Sequence, residues 1–316
     1  RNKNGLGIGF FNAFDDESYA VIKNSEDGSK RRVKTNPYTN YNVLVFDQVL
    51  RNNSFVSLTN TNTLRDGSAR DANVSQLDWK LADKKNQSAI SGYAGMSHLW
   101  QEDGSVQSGS NWKAEFGKIP GNFTFNVSQE QITEHYTPND LGFLNINNIE
   151  RTYAFARIAR YEPFSIFNFY RHDFDGIYER IQEPDEMANL AFSWFTVYGL
   201  KSFHALSLNA AVEPIKTNDF YETRTFSQYY KYPVNASFGG FFSSDYSRPF
   251  ALDVRFQNRW FDESGRRSHY LEVSPRFRPN DKLFFVLGVS RDLRLNEMGW
   301  VNNTNDSITF GRRDVV

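Results

Sequence analysis

Segments of about ten residues with alternating apolar and polar side chains recur along the chain, and this pattern constrains the fold more than any other feature. Turn-forming residues separate these segments in pairs, so they predict hairpins. The predicted hairpins join 41–51 to 54–64, 74–84 to 87–99, 110–118 to 122–132, 151–160 to 164–174, 187–198 to 203–213, 233–245 to 250–261, and 268–277 to 283–292. A strand at 6–14 precedes them and another begins near 307, which gives about sixteen strands.

The connections between the segments fall into two classes. Those within hairpins are short and rich in turn formers, as at Asn52-Asn53 and Pro279-Asn280-Asp281. Those between hairpins are mostly long and polar, as in 15–40, 102–111 and 213–232. Short turns on one rim and long loops on the other are typical of outer-membrane barrels. The sequence therefore predicts a transmembrane, antiparallel, up-and-down β-barrel that occupies residues 1–316.

Composition excludes several classes of protein. The chain has 316 residues with 39% hydrophobic content, and it has no run of 18 apolar residues that would predict a transmembrane helix. Strands of a barrel remain compatible with this polarity because every second residue faces water. The absence of cysteine excludes disulfides and thiolate metal sites. A formal net charge of -1 gives no reason to expect a nucleic-acid partner.

A soluble sandwich or propeller is the alternative fold, because its strands alternate as well. Such a fold covers its apolar faces with a second sheet, and its connections are not expected to sort into short and long ones. Strand length also favours the barrel, since crossing a bilayer takes about 9–11 residues whereas soluble strands centre on about five or six. Aromatic residues near the short turns, such as Phe123 and Tyr161, are typical of a membrane girdle, although β-propensity alone also favours them.

The two faces of the predicted strands differ in charge. In 250–261, Leu252 and Val254 share one face, and the charged residues that alternate with them share the other. An Arg or Lys that faces lipid at the midplane costs about 2–4 kcal/mol, so the charged faces are predicted to line the interior. The predicted lumen-lining residues are Asp47, Asp78, Lys80, Lys113, Glu115, Arg157, Asp253, Arg255, Arg259, Glu272, Arg276 and Arg278.

Four of these residues, Arg255, Arg259, Arg276 and Arg278, predict a positive strip on neighbouring strands. One interpretation is a constriction that favours anionic or sugar solutes. The other is an internal lattice of ion pairs, since Asp253 and Glu272 are interleaved with the arginines.

The strand at 41–51 is apolar on both faces, which predicts lipid on one side and a packed plug or loop on the other. Asp47 is expected to point inward and to have a partner there.

Several segments resemble one known family. They are GLGIGFFNA (5–13), YTPNDLGFLNINN (136–148), NDFYETRTFSQYY (218–230), SPRFRPNDKLFF (274–285) and ITFGRR (308–313), of which 139–144 is the most specific. The chain is similar to an uncharacterised family of Bacteroidota outer-membrane proteins that carry an N-terminal domain similar to family 9 carbohydrate-binding modules before a large barrel. The resemblance implies that this chain is part of a larger barrel, with the accessory domain and the last strands outside it, and that glycans are further partners.

No catalytic, cofactor or metal site is predicted. The five histidines lack metal-ligand spacing, and no phosphate-binding glycine loop or nucleophile elbow occurs. A barrel lipase could combine His204 with a serine such as Ser207, but a histidine that simply occupies a strand or rim is the favoured interpretation. The segment from Thr137 to Asp140 is predicted to form a turn rather than a calcium-binding loop, because its residues favour turns and lack the spaced carboxylates that such a loop needs.

Two functions follow from these predictions. The first is a pore or transport component of the bacterial outer membrane, with glycan handling implied by the resemblance alone. The second is a structural or assembly subunit that conducts nothing and docks against other outer-membrane proteins or lipoproteins, for which small residues such as Ala154, Ala156 and Ala188 are suggestive. Either function makes outer-membrane lipid a partner, and neither is enzymatic.

Overall fold

A computed structural model describes residues 1–225, 228–304 and 307–315, and within these ranges the chain forms strands and no helices. No helix there is long and apolar enough to cross a bilayer. The strands are β1 (Leu6–Asp15), β2 (Ser18–Lys23), β3 (Lys30–Asn36), β4 (Thr39–Val49), β5 (Phe55–Arg65), β6 (Asp71–Ala82), β7 (Ser88–Trp100), β8 (Val106–Lys118), β9 (Phe123–Ile132), β10 (Ile149–Arg160), β11 (Phe167–Ile181), β12 (Glu186–Leu200), β13 (Ala205–Glu213), β14 (Thr217–Asp219), β15 (Tyr230–Tyr232), β16 (Asn235–Ser243), β17 (Phe250–Phe261), β18 (Arg267–Asn280), β19 (Leu283–Val286), β20 (Val289–Thr304) and β21 (Ser307–Val315).

Seventeen of these strands belong to one antiparallel sheet. The other four form two small sheets, in which β2 pairs with β3 and β14 pairs with β15. The predicted all-β antiparallel fold is therefore confirmed. No closed barrel is detected in the described part of the chain, so closure of the sheet and its insertion into a membrane stay predictions.

The predicted hairpins correspond closely to the observed strand pairs, with ends that differ by a few residues. The turn at Asn52-Asn53 has φ values of 58° and 53°, the left-handed conformation that a two-residue hairpin turn requires. The prediction for 283–292 has the correct start at Leu283 but is wrong beyond it, because β19 stops at Val286 and β20 then runs from Val289 to Thr304. Two connections predicted as loops also contain hairpins, β2–β3 and β14–β15.

The chain divides into two compact units, of which the first comprises Arg1–Ile119 and Ser128–Glu150. In this unit β1, β4, β5, β6, β7 and β8 pair in that order. On one face, here called the apolar face, one row of paired residues is Phe46, Leu58, Leu77, Ala94 and Trp112. On the opposite polar face, the adjacent row is Asp47, Ser57, Asp78, Tyr93 and Lys113.

An asparagine patch interrupts the apolar face of β4, β5 and β6. The Asn60 side-chain amide donates to Ser75 Oγ at 2.8 Å and to Asn73 Oδ1 at 3.1 Å. On β1 and β4, Asn12 donates to Asn42 Oδ1 at 2.7 Å. These amides bond to one another across the strands, so the patch is polar but internally satisfied.

The second unit comprises Pro120–Val127 and Arg151–Val316. Here β11, β12, β13, β16, β17, β18, β20 and β21 pair in that order, and β19 adds a short pairing to β18. Its apolar face includes the row Leu206, Phe242, Val254, Val273 and Val289, and its polar face includes the row Ser207, Phe241, Arg255, Glu272 and Ser290.

Candidate functional site

The polar face of the first unit is partly covered by the folded loop, residues 133–148. Tyr136 of this loop is 2% exposed and packs with Val74 of β6, Ile132 and Ile149. Burial raises the pKa of Tyr136, and the charge of Asp78 acts in the same direction. The folded loop therefore places a small apolar core on a face whose other rows are polar.

Polar contacts hold the folded loop to the strands beneath it. Thr137 donates its backbone N–H to Ser97 Oγ at 3.1 Å, and Ser97 is fully buried. The Asp140 carboxylate accepts hydrogen bonds from Arg70 at 3.0 Å on both oxygens and also binds Arg65. The Asp140 side chain is only 5% exposed, so this carboxylate depends on the two guanidinium groups for its charge compensation.

The folded loop is also closed on itself at the segment 139–144. Asn139 Oδ1 accepts the backbone N–H of Leu144 at 2.6 Å, and its Nδ2 donates to the Leu144 carbonyl at 3.2 Å. The Leu141 N–H donates to the Pro138 carbonyl at 3.2 Å. The prediction of turn chemistry at Thr137 to Asp140 is therefore confirmed, and the same turn presents Asp140 to its arginines.

Gly109 of β8 makes room for the folded loop. A Cβ at this position would lie 2.1 Å from the Tyr136 backbone nitrogen, which is far too close for real atoms. We expect Gly109→Ala to displace the folded loop, with a loss of about 2–3 kcal/mol of unfolding free energy. Chemical denaturation and protease cleavage within 133–148 would measure the effect.

Gly9→Ala is the control for this substitution. Gly9 also lies in a strand, and the atom nearest to a Cβ at that position would be the Val45 Cβ at 3.8 Å, an ordinary contact. We expect this control to leave cleavage of the folded loop unchanged. Equal cleavage of both variants would show that the packing of Tyr136 on Gly109 does not hold the loop.

The predicted lumen-lining residues of the first unit lie on its polar face. Asp47, the residue expected to have an inward partner, forms an ion pair with Arg1. Asp78 accepts a hydrogen bond from Gln76 at 2.9 Å. Lys113 lies in the same row as Asp47 and Asp78 and forms an ion pair at 3.4 Å with Glu115. Glu115 and Lys80 lie in another row of this face, in which both are opposite Ser91.

In the second unit, Arg157 binds a carboxylate that is almost fully buried. Its Nε and Nη2 contact the two oxygens of Asp173 at 2.7 and 3.1 Å, and Arg171 contacts the same carboxylate at 3.1 Å. Asp173 is 7% exposed. Two arginines therefore share one buried acid, and Asp175, two residues along β11 on the same face, supplies a second carboxylate nearby.

Arg259 and Arg276 are also engaged by acidic residues. Arg259 lies 2.8 Å from Glu213 and donates to Asn235 at 2.9 Å. Arg276 lies 3.0 Å from the carboxylate of Asp253. This buried carboxylate also accepts a hydrogen bond from the Tyr246 hydroxyl at 2.6 Å. For these arginines the arrangement matches an internal lattice of ion pairs.

Arg255 differs from them because it is exposed. It pairs in register with Glu272, and its guanidinium lies 5.6 Å from the centre of the Phe241 ring. The Glu272 carboxylate accepts hydrogen bonds from Tyr270 and Ser274 instead. Arg278 is likewise exposed, at the turn end of β18. The predicted strip is thus divided between paired and solvent-facing arginines.

A second loop that the resemblance singled out, in 218–230, is tied to β20. Glu222 accepts the backbone N–H of Trp300 at 2.7 Å, and Asn303 donates to Thr225 Oγ1 at 2.6 Å. The Arg224 guanidinium lies 4.2 Å from the Trp300 ring centre. Residues 226 and 227 of this segment lie outside the described residues. This segment belongs to the connection between β13 and β16. It therefore contacts β20, which is separated from β16 in the sheet by β17 and β18.

A cavity of about 450 Å³ opens beside β17, β18 and β20. Arg266, whose side chain is 6% exposed, lies at its wall with its guanidinium 4.3 Å from the Phe261 ring and 5.2 Å from the Tyr232 ring. Leu295 also lines the cavity, and the other lining residues are polar or charged: Gln257, Arg259, Arg267, Ser268, Tyr270, Asp292, Arg294 and Glu297. The cavity offers both donors and acceptors to a polar solute.

His204, the histidine considered for a barrel lipase, contacts residues of another turn and strand. His204 accepts the backbone N–H of Asp245 at 3.0 Å and stacks on Phe242, so it joins two turns. No group of three His, Cys, Asp or Glu side chains there could hold a metal ion. The predictions that the protein has no cofactor and is not an enzyme stay predictions.

Sequence reasoning missed the contact between the folded loop and the polar face. Its signal was present, because Ala72, Val74 and Leu99 are apolar at positions that share the polar face. Val43 of β4 continues the row that contains Thr61 and Val74. Val43 therefore shares a row with Val74, on which Tyr136 of the folded loop packs.

Comparison with known proteins identifies the family of the chain. No curated protein matches the chain. A family model described as a domain of unknown function, DUF5916, matches residues 1–316. The match covers the whole sequence, including the folded loop and the segment 218–230. The chain therefore belongs to this family.

Proposed function

We propose that the protein is a β-barrel of the bacterial outer membrane and acts as a pore or transport component. The observation that supports this is the contrast between the two faces of the sheet. Phe46, Leu58 and Leu77 are paired neighbours and remain 40–43% exposed, although side chains of this kind are normally buried. A contiguous exposed apolar face of this kind needs a nonpolar environment, and lipid supplies one.

The polar face supports the same proposal from the other side. Positions directly beside the exposed apolar row carry Asp47, Ser57 and Asp78. In a barrel, this face lines a water-filled interior, and the twelve predicted residues are its charged lining.

We also propose that the protein comes from Bacteroidota and carries an N-terminal domain similar to carbohydrate-binding modules, and this part of the proposal rests on resemblance. Glycans are proposed partners on that basis, and the cavity beside Arg266 offers polar groups of the kind they require.

The test is reconstitution of the purified protein. We expect it to require detergent, to float with neutral phosphatidylcholine vesicles, and to give stepwise conductance in a planar bilayer. A protein that stays in solution without detergent and does not float would contradict the membrane location.

The second candidate function, a structural or assembly subunit that does not conduct, is favoured by the folded loop. This loop covers part of the polar face and is fixed there by Tyr136 and Asp140. Vesicle flotation without conductance, together with stable co-purification of another outer-membrane protein or lipoprotein, would favour this function over the pore.

Arg255 allows a clean test of ion selectivity. We expect Arg255→Glu to move the reversal potential toward cation selectivity, because a change of two charges at about 10 Å alters local ion concentrations about two- to fourfold. Arg276→Glu is less informative, since it would place a second carboxylate beside the buried Asp253. Arg255→Gln should give half the shift, and no shift in either variant would exclude a role for Arg255 in selectivity.

A further inference from the structure

The β2–β3 hairpin lies outside the large sheet. β2 and β3 pair with each other and with no other strand in the described residues. An isolated two-stranded hairpin is marginally stable in water. Every residue of β2 is exposed, including Val21 at 61% and Ile22 at 43%. The hairpin therefore presents a surface that has no partner within its own unit.

The hairpin itself carries more cations than acids, and three acids, Asp15, Asp16 and Glu17, directly precede it in the chain. Residues 18–36 contain five Lys or Arg residues and two acids, whereas the whole chain has a formal net charge of -1. The two acids, Glu26 and Asp27, lie in the turn, where Asp27 accepts the backbone N–H of Ser29 at 2.8 Å. That contact with Ser29 also lowers the pKa of Asp27. These acids shape the turn rather than neutralise the strands.

Cations and apolar side chains are mixed on both sides of the hairpin, since Ile22 lies opposite Arg31 on the second side. Cross-strand pairs place Val21 opposite Arg32 and Lys23 opposite Lys30. The Arg32 guanidinium lies 4.4 Å from the centre of the Tyr19 ring. Lys34 binds Glu17, but Lys23, Lys30 and Arg31 have no carboxylate partner within the residues described. This mixture of long cationic and apolar side chains is typical of a surface that meets a lipid interface.

The base of the hairpin adjoins the apolar face. Phe14 of β1 lies on the same face as Phe46, is 63% exposed, and stacks on Tyr38 with ring centres 5.9 Å apart. Aromatic pairs of this kind mark the depth of the headgroups in membrane barrels. Asp15, Asp16 and Glu17 directly follow Phe14, and Lys34 binds Glu17. Lys23, Lys30 and Arg31 lie further out along the hairpin, where lipid phosphates would lie.

We propose that the β2–β3 hairpin binds the phosphate-bearing headgroups of membrane lipids at the long-loop rim. The assignment rests on the proposed membrane location. Unpaired Lys and Arg side chains supply the attraction, and the apolar residues between them enter the interface. The net charge of the whole chain argues against a nucleic acid as the partner.

The test compares two triple variants in the full chain, held in a zwitterionic detergent. The first is K30Q/R31Q/R32Q in the hairpin, and its control is R51Q/K84Q/K85Q in two short turns at the other strand ends. Binding of short-chain phosphatidic acid is measured against short-chain phosphatidylcholine, inorganic phosphate and polyglutamate. We expect the hairpin variant to bind phosphatidic acid about a hundredfold more weakly than the native chain, and the control to bind it as the native chain does.

Three outcomes would overturn the assignment. They are equal affinity of both variants for phosphatidic acid, inorganic phosphate that binds as tightly as the lipid, and polyglutamate that binds more tightly than the lipid. Flotation with neutral phosphatidylcholine vesicles is measured in parallel for all three proteins. Failure to float rejects the membrane location itself, whereas flotation without preference for phosphatidic acid rejects only the role of the hairpin.

Discussion

Leu58→Arg is expected to destabilise the protein in phosphatidylcholine vesicles by about 2–4 kcal/mol, the cost of an arginine that faces lipid near the bilayer midplane. Leu58 lies between Phe46 and Leu77 on the apolar face and is 43% exposed. Its new guanidinium would have no acidic neighbour in that row. Denaturant unfolding in vesicles, followed by tryptophan fluorescence, would measure the loss.

Ser57→Arg is the matched control, since it changes the adjacent residue on the opposite face. Ser57 lies between Asp47 and Asp78, so an arginine there gains acidic neighbours and a wet environment. We expect its effect to stay below about 1 kcal/mol. Equal losses in the two variants would contradict the assignment of one face to lipid and the other to water.

Asp140→Ala is expected to release the folded loop. The buried carboxylate binds Arg65 and Arg70, and removal of one partner from a buried ion pair costs about 3–5 kcal/mol. Because Arg70 is 41% exposed and can return to water, we expect a loss near the lower end, about 3 kcal/mol. Faster protease cleavage in 133–148 would report the release.

The same variant distinguishes the two proposed functions. If the folded loop restricts a pore, Asp140→Ala increases single-channel conductance. If the protein is a non-conducting subunit, the loop is released without any conductance. Asp103→Ala is the control, because Asp103 is an exposed acid in the turn between β7 and β8 whose hydrogen-bond partner among the described residues is Ser105. Cleavage of this control at the native rate would attribute the effect to the Asp140 pairs.

The hairpins were predictable because their information is local. Alternation along 54–64 and the Asn52-Asn53 turn define both strands and their register, and the register then determines which side chains share a face. Asp253 and Arg276 could also be placed on one face from alternation alone. Their direct contact depends on the bend of a turn, and so does the hydrogen bond that the Tyr246 hydroxyl donates to Asp253. Neither could be predicted from the spacing of these residues in the sequence.

The folded loop was not predictable in the same way. Its anchors, Arg65 and Asp140, are separated by 75 residues, and no periodicity links them. The small hairpin β2–β3 was missed for a different reason. Its strands carry charges on both faces, so they lack the alternation that identified the strands of the large sheet.

The asparagine patch limits the height of the apolar face on one side of the sheet. On β5, the apolar stretch between the turn at Asn53 and the patch at Asn60 spans about 23 Å along the strand at about 3.3 Å per residue. A tilt of about 40° reduces this to about 18 Å, against an apolar band of about 25 Å in typical barrels. In the proposed location, β4, β5 and β6 are thus mismatched to an ordinary bilayer, and local thinning of the lipid at this side relieves the mismatch.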